Sequence, residues 1–433
     1  MIINLLVIGF TALGLKTILF SKNGLKKSLE WIIAAFILGY RTFEPIQGLK
    51  LHPIEIFIYA SIIRVIITKP SNFVKMPTSM FILGLFFVTF FTIDLITRYN
   101  YMVLLEFKNS LLIILVFFMA KHIHFNKEYV IRLLKIYLYA ATTISIIGII
   151  EFVFPSLIAN IFGFPHQPKG IGETVYFSRL AFLFWGSHLA ANLIPPVFPI
   201  LLLLKSEKES IVNNNLLLTA FILINLFSIY LSGNRASWLI ITILLFQTIF
   251  QYKNRLMPKL KFYIGFLVTV FVFYVYSQPV EGRYISTFKA LTGQIDTRYD
   301  SSGGVRLARA KTAINSIISN PLGTGWGSQG WVHNDILQIG STVGIIPGAT
   351  LFFAPLLLLL KIYRIYSEAI GEHKTMLFTM IGLLIFIIVS IFLNGNFFLV
   401  QTGVPIFMLW AIIYSYVHSN FNLNHILTSN QSK

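Results

Sequence analysis

The stretch that decides the fold is SMFILGLFFVTFFTIDLIT, residues 79–97, in which Asp94 is the one charged side chain. About 20 helical residues of this kind cross the ~30 Å hydrocarbon core of a bilayer. Similar runs recur along the 433 residues, of which 56% are hydrophobic and 12% are charged. Soluble domains do not tolerate that composition. The sequence therefore predicts an integral membrane protein with helical spans and not a β-barrel.

The apolar runs predict an all-α, polytopic helix bundle of about 12–13 transmembrane helices, within a single integral membrane domain of residues 1–433. The first run lacks a basic segment and a cleavage site, so we interpret it as a retained helix and not as a signal peptide. Without that run the number of spans is 12. The runs lie at about 2–20, 29–43, 53–68, 79–97, 101–120, 130–152, 180–204, 215–232, 236–251, 260–277, 335–360, 375–393 and 404–419.

The net charge of +18 follows an alternating pattern along the chain. Basic side chains concentrate in every second connection, which is typical of cytoplasmic loops in a membrane protein. This distribution gives the charge a topological role, and we exclude nucleic acid as a partner. The residues concerned are Lys22, Lys26, Lys27, Lys69, Lys75, Lys121, Lys127, Lys205, Lys208, Lys253, Arg255, Lys259, Lys261, Lys361, Arg364 and Lys374.

A long polar loop, residues 278–332, lies on the opposite, extracytoplasmic side and interrupts the spans. Long ordered loops in compact folds are usually functional. From Val305 onward, its segment VRLARAKTAINSIIS has the period of an amphipathic helix that lies on the membrane. Arg306 falls at the edge of the apolar stripe, whereas Arg309 points farther toward water and is interpreted as a solvated charge. The stripe consists of Leu307, Ala310, Ile314, Ile317 and Ile318.

His333 closes this loop, one step before a predicted helix that begins at Asn334 or Asp335. The partial positive charge of a helix N-terminus favours anions and lowers the pKa of a nearby imidazole. A neutral histidine beside an anion site suits a general base. The spacing alone, however, favours the simpler alternative that His333 caps or packs against the helix start.

Arg235 lies in LSGNRASWL, a short extracytoplasmic turn between two spans. An arginine held there can bind a lipid phosphate through both guanidinium nitrogens. The alternative is an arginine that extends to the lipid headgroups without a further role.

Other polar features in this sequence have structural interpretations. Asp94 and Arg98 have i,i+4 spacing, and Glu55, Arg64 and Glu106 also lie in or beside spans, where we expect mostly structural ion pairs. The segment GTGWGSQG has no preceding strand, so it is not a nucleotide loop. The extracytoplasmic carboxylates have no metal-ligand spacing, so nothing in the sequence calls for a metal or another cofactor. The chain contains no cysteine.

Three segments, in order, resemble the O-antigen ligase and Wzy-type polysaccharide polymerase superfamily: LSGNRASWL, SGGVRLARAKTAINSIISNPLGTGWG and HNDILQIGSTVGIIPG. The resemblance covers roughly the C-terminal half. It implies a helical bundle that resembles the GT-C type lipid-linked glycosyltransferases. It also implies an undecaprenyl-diphosphate-linked glycan donor, without a nucleotide sugar or metal. The family's turn often reads Ser-Arg, whereas this chain has Asn234 before Arg235.

Carried over by position, the resemblance makes His333 the catalytic base and makes Arg235 and Arg306 the residues that bind the diphosphate. Asn334 and Asp335 would support the site, and Asp335 could orient the imidazole. The expected reaction is an inverting transfer at the extracytoplasmic face of the bacterial cytoplasmic membrane, in contact with membrane lipids.

Several functions remain open from the sequence. A polymerase passes the chain to a lipid-linked repeat unit, and we favour this function. A ligase uses lipid A-core or another acceptor. A lipid-linked oligosaccharide flippase fits the number of spans equally well, but it leaves the arginine helix unexplained. A structural scaffold would not need His333 or either arginine.

Overall fold

We analysed the fold in a computed structural model of the chain. The structure describes residues 2–39, 42–46, 49–70, 74–97, 101–154, 156–157, 190–232, 234–251, 301–328, 330, 332–369, 372–393 and 399–421. The predicted span 260–277 and residues 278–300 of the predicted loop lie outside these described residues.

The N-terminal part of the chain is a series of helices interrupted by one small hairpin. The hairpin pairs strands β1 (Phe43–Ile46) and β2 (Leu49–Leu51) in antiparallel register. A 3-10 turn, Ala35–Leu38, precedes it. The helices are α1 (Ile2–Phe20), α2 (Gly24–Ala34), α3 (Pro53–Thr68), α4 (Thr78–Thr97), α5 (Tyr101–Ala120) and α6 (Lys127–Val153).

The C-terminal part of the described chain is also helical. Its elements are α7 (Val197–Ser206), α8 (Ser210–Asn213), α9 (Asn215–Ser232), α10 (Arg235–Gln251), α11 (Ser301–Ser319), α12 (Asp335–Thr342), α13 (Ile345–Glu368), α14 (Glu372–Leu393) and α15 (Val400–Asn420).

The predicted class, an all-helical polytopic membrane bundle, is confirmed. Among the described residues, seven helices are long and apolar enough to cross a membrane: α4, α5, α6, α9, α13, α14 and α15. Shorter apolar segments occur in α1, α7 and α10. The protein is thus a multi-pass membrane protein, with a short β-hairpin as its departure from pure helix.

Three predicted spans differ from the structure. In the run 180–204, residues 180–189 lie outside the described ones, residues 192–196 are not helical, and α7 begins only at Val197. The run 335–360 is not one helix, because α12 ends at Thr342 and α13 begins at Ile345. Gly344, between them, has φ +113°, a conformation that breaks a helix and that residues with a Cβ rarely adopt. The run 29–43 is also shorter than predicted, since α2 ends at Ala34 and the 3-10 turn follows.

Helix α15 forms the centre of the bundle. It packs against α3, α5, α6, α13 and α14, and it is buried along nearly its whole length. Trp410 meets Phe117 of α5 edge to face, with ring centroids 5.4 Å apart. A helix that is apolar on all sides is expected inside a large bundle, whereas α4 leaves most of its surface open to lipid.

The helix ends fall into two groups, each defined by loops that contact one another. The first, the basic end, joins the connections at 69–77, 121–126 and 207–214 with the last turns of α15. There Val74 N–H donates to the Lys121 carbonyl at 3.2 Å, and Lys127 pairs with Glu207 at 2.7 Å. The second, the site end, joins the outer parts of α4 and α5 to the residues between α11 and α12. This grouping matches the alternation of loops predicted from the charges.

A glycine-rich turn brackets the break between α12 and α13. Thr324 N–H donates to the Ser341 carbonyl at 2.9 Å, and Gly325 N–H donates to the Thr342 carbonyl at 2.7 Å. Ile345 N–H donates to the Pro321 carbonyl at 2.9 Å. These bonds join the turn and the helix break into one unit. We call the turn, residues 320–328, the glycine loop.

We expect replacement of Gly323 by alanine to destabilise this unit strongly. Its φ is +92°, and an added Cβ would lie 2.5 Å from the Thr342 carbonyl oxygen. Backbone strain of this kind costs about 1–3 kcal/mol before the clash is added. Thermal unfolding in detergent, followed by the remaining monodisperse fraction, should show a lower midpoint. Gly330→Ala is the matched control, because nothing lies within 4 Å of its added Cβ. Equal midpoints for the two variants would contradict the tight packing described here.

Candidate active site

His333 lies between two residues that are both tethered. Val332 N–H donates to Oε1 of Gln338 at 2.6 Å, which folds the chain back on α12. Asn334 Nδ2 donates to the Phe392 carbonyl at 3.1 Å, near the end of α14. With both neighbours held, the backbone position of His333 is fixed relative to α12 and α14.

Asn334 is the residue that begins the helix. Its side-chain oxygen accepts from the Leu337 N–H at 2.9 Å, so Asn334 is the N-cap and Asp335 is the first helical residue. Of the two predicted caps, Asn334 is therefore the observed one. Asp335 is 1% exposed and does not act as the cap. His333 is therefore not the cap, and of the simpler alternative only packing against the helix start stays open.

Two arginines of α11 act on His333. Desolvation is the largest cause that lowers the pKa of the imidazole, followed by the positive charges of Arg306 and Arg309, and together they bring it to about 4. The imidazole is therefore neutral at pH 7 and able to accept a proton. The imidazole of His333 lies just before α12, and the two arginines lie in the first half of α11.

The direction of α11 explains this meeting. Ile317, near its end, packs against Gly340, near the end of α12, where an added Cβ would lie 3.0 Å from the Ile317 Cδ1 atom. The charges near its start act on His333, just before α12. The two helices therefore run side by side in the same direction, which brings their N-terminal ends together.

The helix through Val305 and its end at Asn320-Pro321 are confirmed, and the helix begins earlier than predicted, at Ser301. Ala313 is fully buried and Ile317 packs against Gly340, whereas Ile314 and Ile318 of the predicted stripe are 44% and 74% exposed. Exposed isoleucines are what a helix lying on a membrane requires, so the membrane-facing stripe stays a prediction. Arg309 was predicted to be a solvated charge. It is exposed, but its positive charge lowers the pKa of His333, as that of Arg306 does.

Arg235 is the first residue of α10, and only its backbone position is described. Asn234 caps that helix: its Oδ1 accepts from Ala236 N–H at 3.0 Å, and its Nδ2 donates to Asn192 Oδ1 at 3.0 Å. The asparagine that departs from the usual Ser-Arg turn therefore fulfils a capping role that serine also fills.

The backbone of Arg235 lies at the same end of α14 as Asn334. Gln247 of α10 donates to the Phe378 carbonyl of α14 at 3.3 Å, so these two helices are paired. Arg235 precedes Gln247 by about 18 Å of helix, and Phe392 follows Phe378 by about 21 Å. The two helices run antiparallel, so both residues lie at the site end. No described contact joins Arg235 to His333, and its role stays a prediction.

Two buried carboxylates, which the sequence analysis treated as components of structural ion pairs, hold the glycine loop. Asp94 Oδ2 accepts from Trp326 N–H at 2.6 Å, and Glu106 Oε2 accepts from Gly327 N–H at 2.7 Å. Asp94 is 0% exposed and Glu106 is 7% exposed. The indole of Trp326 is buried and packs edge to face against Phe87, with ring centroids 5.3 Å apart. Arg98, the predicted partner of Asp94, lies outside the described residues.

The other intramembrane charges have different partners. Glu55 pairs with Lys108 at 2.7 Å, so a structural ion pair is confirmed there. Arg64 donates to the backbone carbonyls of Leu19 and Ser21, where the sequence predicted an ion pair. Asp94 and Glu106 differ from these two residues, because both accept hydrogen bonds from backbone N–H groups of the same loop.

Comparison with known proteins adds a family to this geometry. Residues 220–353 match the O-Antigen ligase family model. The match confirms the resemblance, and it covers α10, α11, α12 and the first part of α13, which include each predicted site residue. No curated protein matches the chain. The match supports a ligase- or polymerase-type function in O-antigen biosynthesis, with a glycosyltransferase-like activity and lipid-linked glycans as substrates.

The electrostatic coupling predicts how His333 titrates. Its pKa of about 4 is below the usual 6.5, so the imidazole stays neutral as the pH falls until about pH 4. Arg309→Gln removes one opposing cation, which should raise the pKa. Diethyl pyrocarbonate reacts with neutral imidazole, and its rate at the His333 peptide, measured by mass spectrometry across pH 4–8, reports this titration.

Arg309→Lys is the matched control, since it keeps the charge and should leave the midpoint unchanged. A midpoint near 6.5 in the wild type, or the same midpoint in the glutamine variant as in the wild type, would contradict the coupling.

Proposed function

We propose that this protein is a polysaccharide polymerase. It transfers a glycan chain from undecaprenyl diphosphate to a lipid-linked repeat unit. The observation that carries the proposal is the pairing of a neutral imidazole at the start of α12 with cationic side chains on α11, inside the segment that matches the O-antigen ligase family.

The chemistry requires a proton acceptor and an anion stabiliser. An acceptor hydroxyl oxygen forms a bond to the anomeric carbon, and the bond from that carbon to the diphosphate oxygen breaks. The hydroxyl proton goes to the imidazole of His333, and the bonding electron pair leaves with the diphosphate. A base held in this way contributes about 10²–10⁴-fold to the rate. A single displacement inverts the configuration at the anomeric carbon.

Arg306 and Arg235 are assigned to the diphosphate. A guanidinium group binds phosphate oxygens through two parallel N–H donors, and charge that develops on the leaving group is stabilised most by groups already in place. Arg309 joins this set in the proposal, because its charge bears on the same imidazole as that of Arg306. Asp335 is kept as a supporting residue through its burial at the helix start.

The proposed location is the extracytoplasmic face of the bacterial cytoplasmic membrane. The basic end, with the lysine-rich loops, is assigned to the cytoplasm by the positive-inside rule. The site end then faces outward, where a lipid-linked donor and a polar acceptor meet. Residues 1–433 act as one integral membrane domain in this proposal.

Ligation is the second candidate function. The family model that matches residues 220–353 is described as O-Antigen ligase, which favours lipid A-core or another non-repeat acceptor. Donor, base and cations would be the same in the two reactions, so only the acceptor distinguishes them.

His333→Ala should abolish polymer formation by purified protein in nanodiscs supplied with the undecaprenyl-diphosphate-linked repeat unit. We expect a fall of at least about 100-fold, since the base is lost, and about the same fall for Arg306→Ala. Chain length on gels measures the product. Arg132→Ala is the control, because Arg132 pairs with Glu30 at the basic end and is 62% exposed; its rate should stay within about twofold.

The acceptor decides between the two functions. A ladder from the repeat unit alone identifies a polymerase. Transfer that occurs only after lipid A-core is added identifies a ligase. Wild-type activity in the His333→Ala protein would overturn the assigned base, and no transfer with either acceptor would overturn the proposed function.

A further inference from the structure

We infer that Asp94 and Glu106 are positioning residues, which act through the glycine loop to set the location of Arg306 and His333. Both carboxylates accept hydrogen bonds from backbone N–H groups of this loop, Asp94 from Trp326 and Glu106 from Gly327. The inference rests on the proposed function, and it adds to it two residues from a part of the chain that the family match does not include.

The energetic basis is the cost of a carboxylate in the bilayer. A buried, ionised carboxylate is expensive unless it is paired and hydrogen-bonded. Bonds of 2.6 and 2.7 Å from N–H to carboxylate oxygen are at the short end of N–H···O hydrogen bonds. The same two bonds satisfy N–H groups that an irregular turn cannot satisfy by itself. Loss of either carboxylate oxygen therefore leaves a buried N–H without its acceptor.

The second step leads from the loop to the site. The glycine loop follows α11 directly, and Thr324 and Gly325 are hydrogen-bonded to the last residues of α12. Pro321 accepts from Ile345 at the start of α13. The loop thus joins the end of the arginine helix to the end of the helix that begins beside His333. A shift of the loop relative to α4 and α5 shifts both.

The third step is the aromatic packing, which makes the anchor rigid. Trp326 is 1% exposed and meets Phe87 of α4 at 5.3 Å and Phe107 of α5 at 6.2 Å. The ring lies between the two carboxylate-bearing helices, and its own N–H backbone group binds Asp94. The two hydrogen bonds and the packed ring of Trp326 together hold the loop against α4 and α5.

The test compares two replacements at each carboxylate. Asp94→Asn and Glu106→Gln keep an oxygen that accepts from N–H, whereas Asp94→Leu and Glu106→Leu do not. Hydrogen–deuterium exchange of the peptide that covers residues 321–332 measures the anchor directly. The transfer assay on the same nanodisc samples measures kcat and KM. Glu55→Gln is the matched control, because Glu55 is also buried and also accepts a backbone N–H, from His52 at 3.1 Å, but it does not contact the loop.

We expect at least about tenfold faster exchange in the leucine variants, with a fall in kcat of about 10–100-fold that exceeds any change in KM, because small misplacements of catalytic groups are costly. The amide variants and Glu55→Gln should stay within about threefold of wild type in exchange and in kcat, since the anchor is retained. A carboxylate that acted through its charge would lose its effect in the amide variants. A carboxylate that only positions the loop would not.

Three results would overturn the inference. One is wild-type exchange in the leucine variants. Another is faster exchange with unchanged kcat. The third is amide variants that are as inactive as the leucine variants while the loop stays protected. If the wild type transfers no glycan to any acceptor, the proposed function falls, and the exchange measurement still decides whether the carboxylates anchor the loop.

Discussion

The bond between a buried carboxylate and a backbone N–H is the interaction on which the site end depends. An irregular turn has N–H groups that it cannot satisfy by itself, so those that are buried away from water need a partner in the protein. Asp94 and Glu106 supply two of these partners to the glycine loop. Because the loop is hydrogen-bonded to the break between α12 and α13, the same pair of bonds allows a long helix to be divided close to the membrane.

That division has an electrostatic result. If residues 335–360 formed one continuous helix, His333 would lie at the end of a single long, straight element. The break instead lets α12 fold back beside α11, and the imidazole comes under the field of Arg306 and Arg309. Cations that favour a phosphate anion also keep the base neutral. The charges that would bind a phosphate anion thus hold the imidazole in its neutral form and lower its affinity for a proton.

Sequence reasoning predicted the features that local chemistry determines. The helix from Val305, its end at Asn320-Pro321, a cap at Asn334 or Asp335 and the grouping of loops into two ends follow from periodicity, turn residues and charge. It failed where a distant partner decides. The bonds of Asp94 and Glu106 join residues 232 and 221 positions apart, and no periodicity records them. A signal was present nonetheless: carboxylates in consecutive spans, and a glycine-rich turn with N–H groups to satisfy.

Helix α11 shows what periodicity alone leaves open. It packs on α12 through small residues such as Ala313 and Gly340, while Ile314 and Ile318 stay exposed. Small residues allow helices to approach closely, and the sequence does not say which part of an apolar stripe meets protein and which meets lipid. The role of Arg235 stays a prediction, since its side chain is not described.

The central place of α15 has a consequence for how the protein is made. The bundle closes around a helix that follows all the other described helices in the chain. During synthesis, α3, α5 and α6 leave the ribosome before it. Thr402, at 0% exposed, and Ser415, at 2%, have polar groups that lipid cannot hydrogen-bond. The contacts that bury these two side chains therefore form after the helices on which α15 packs have been made.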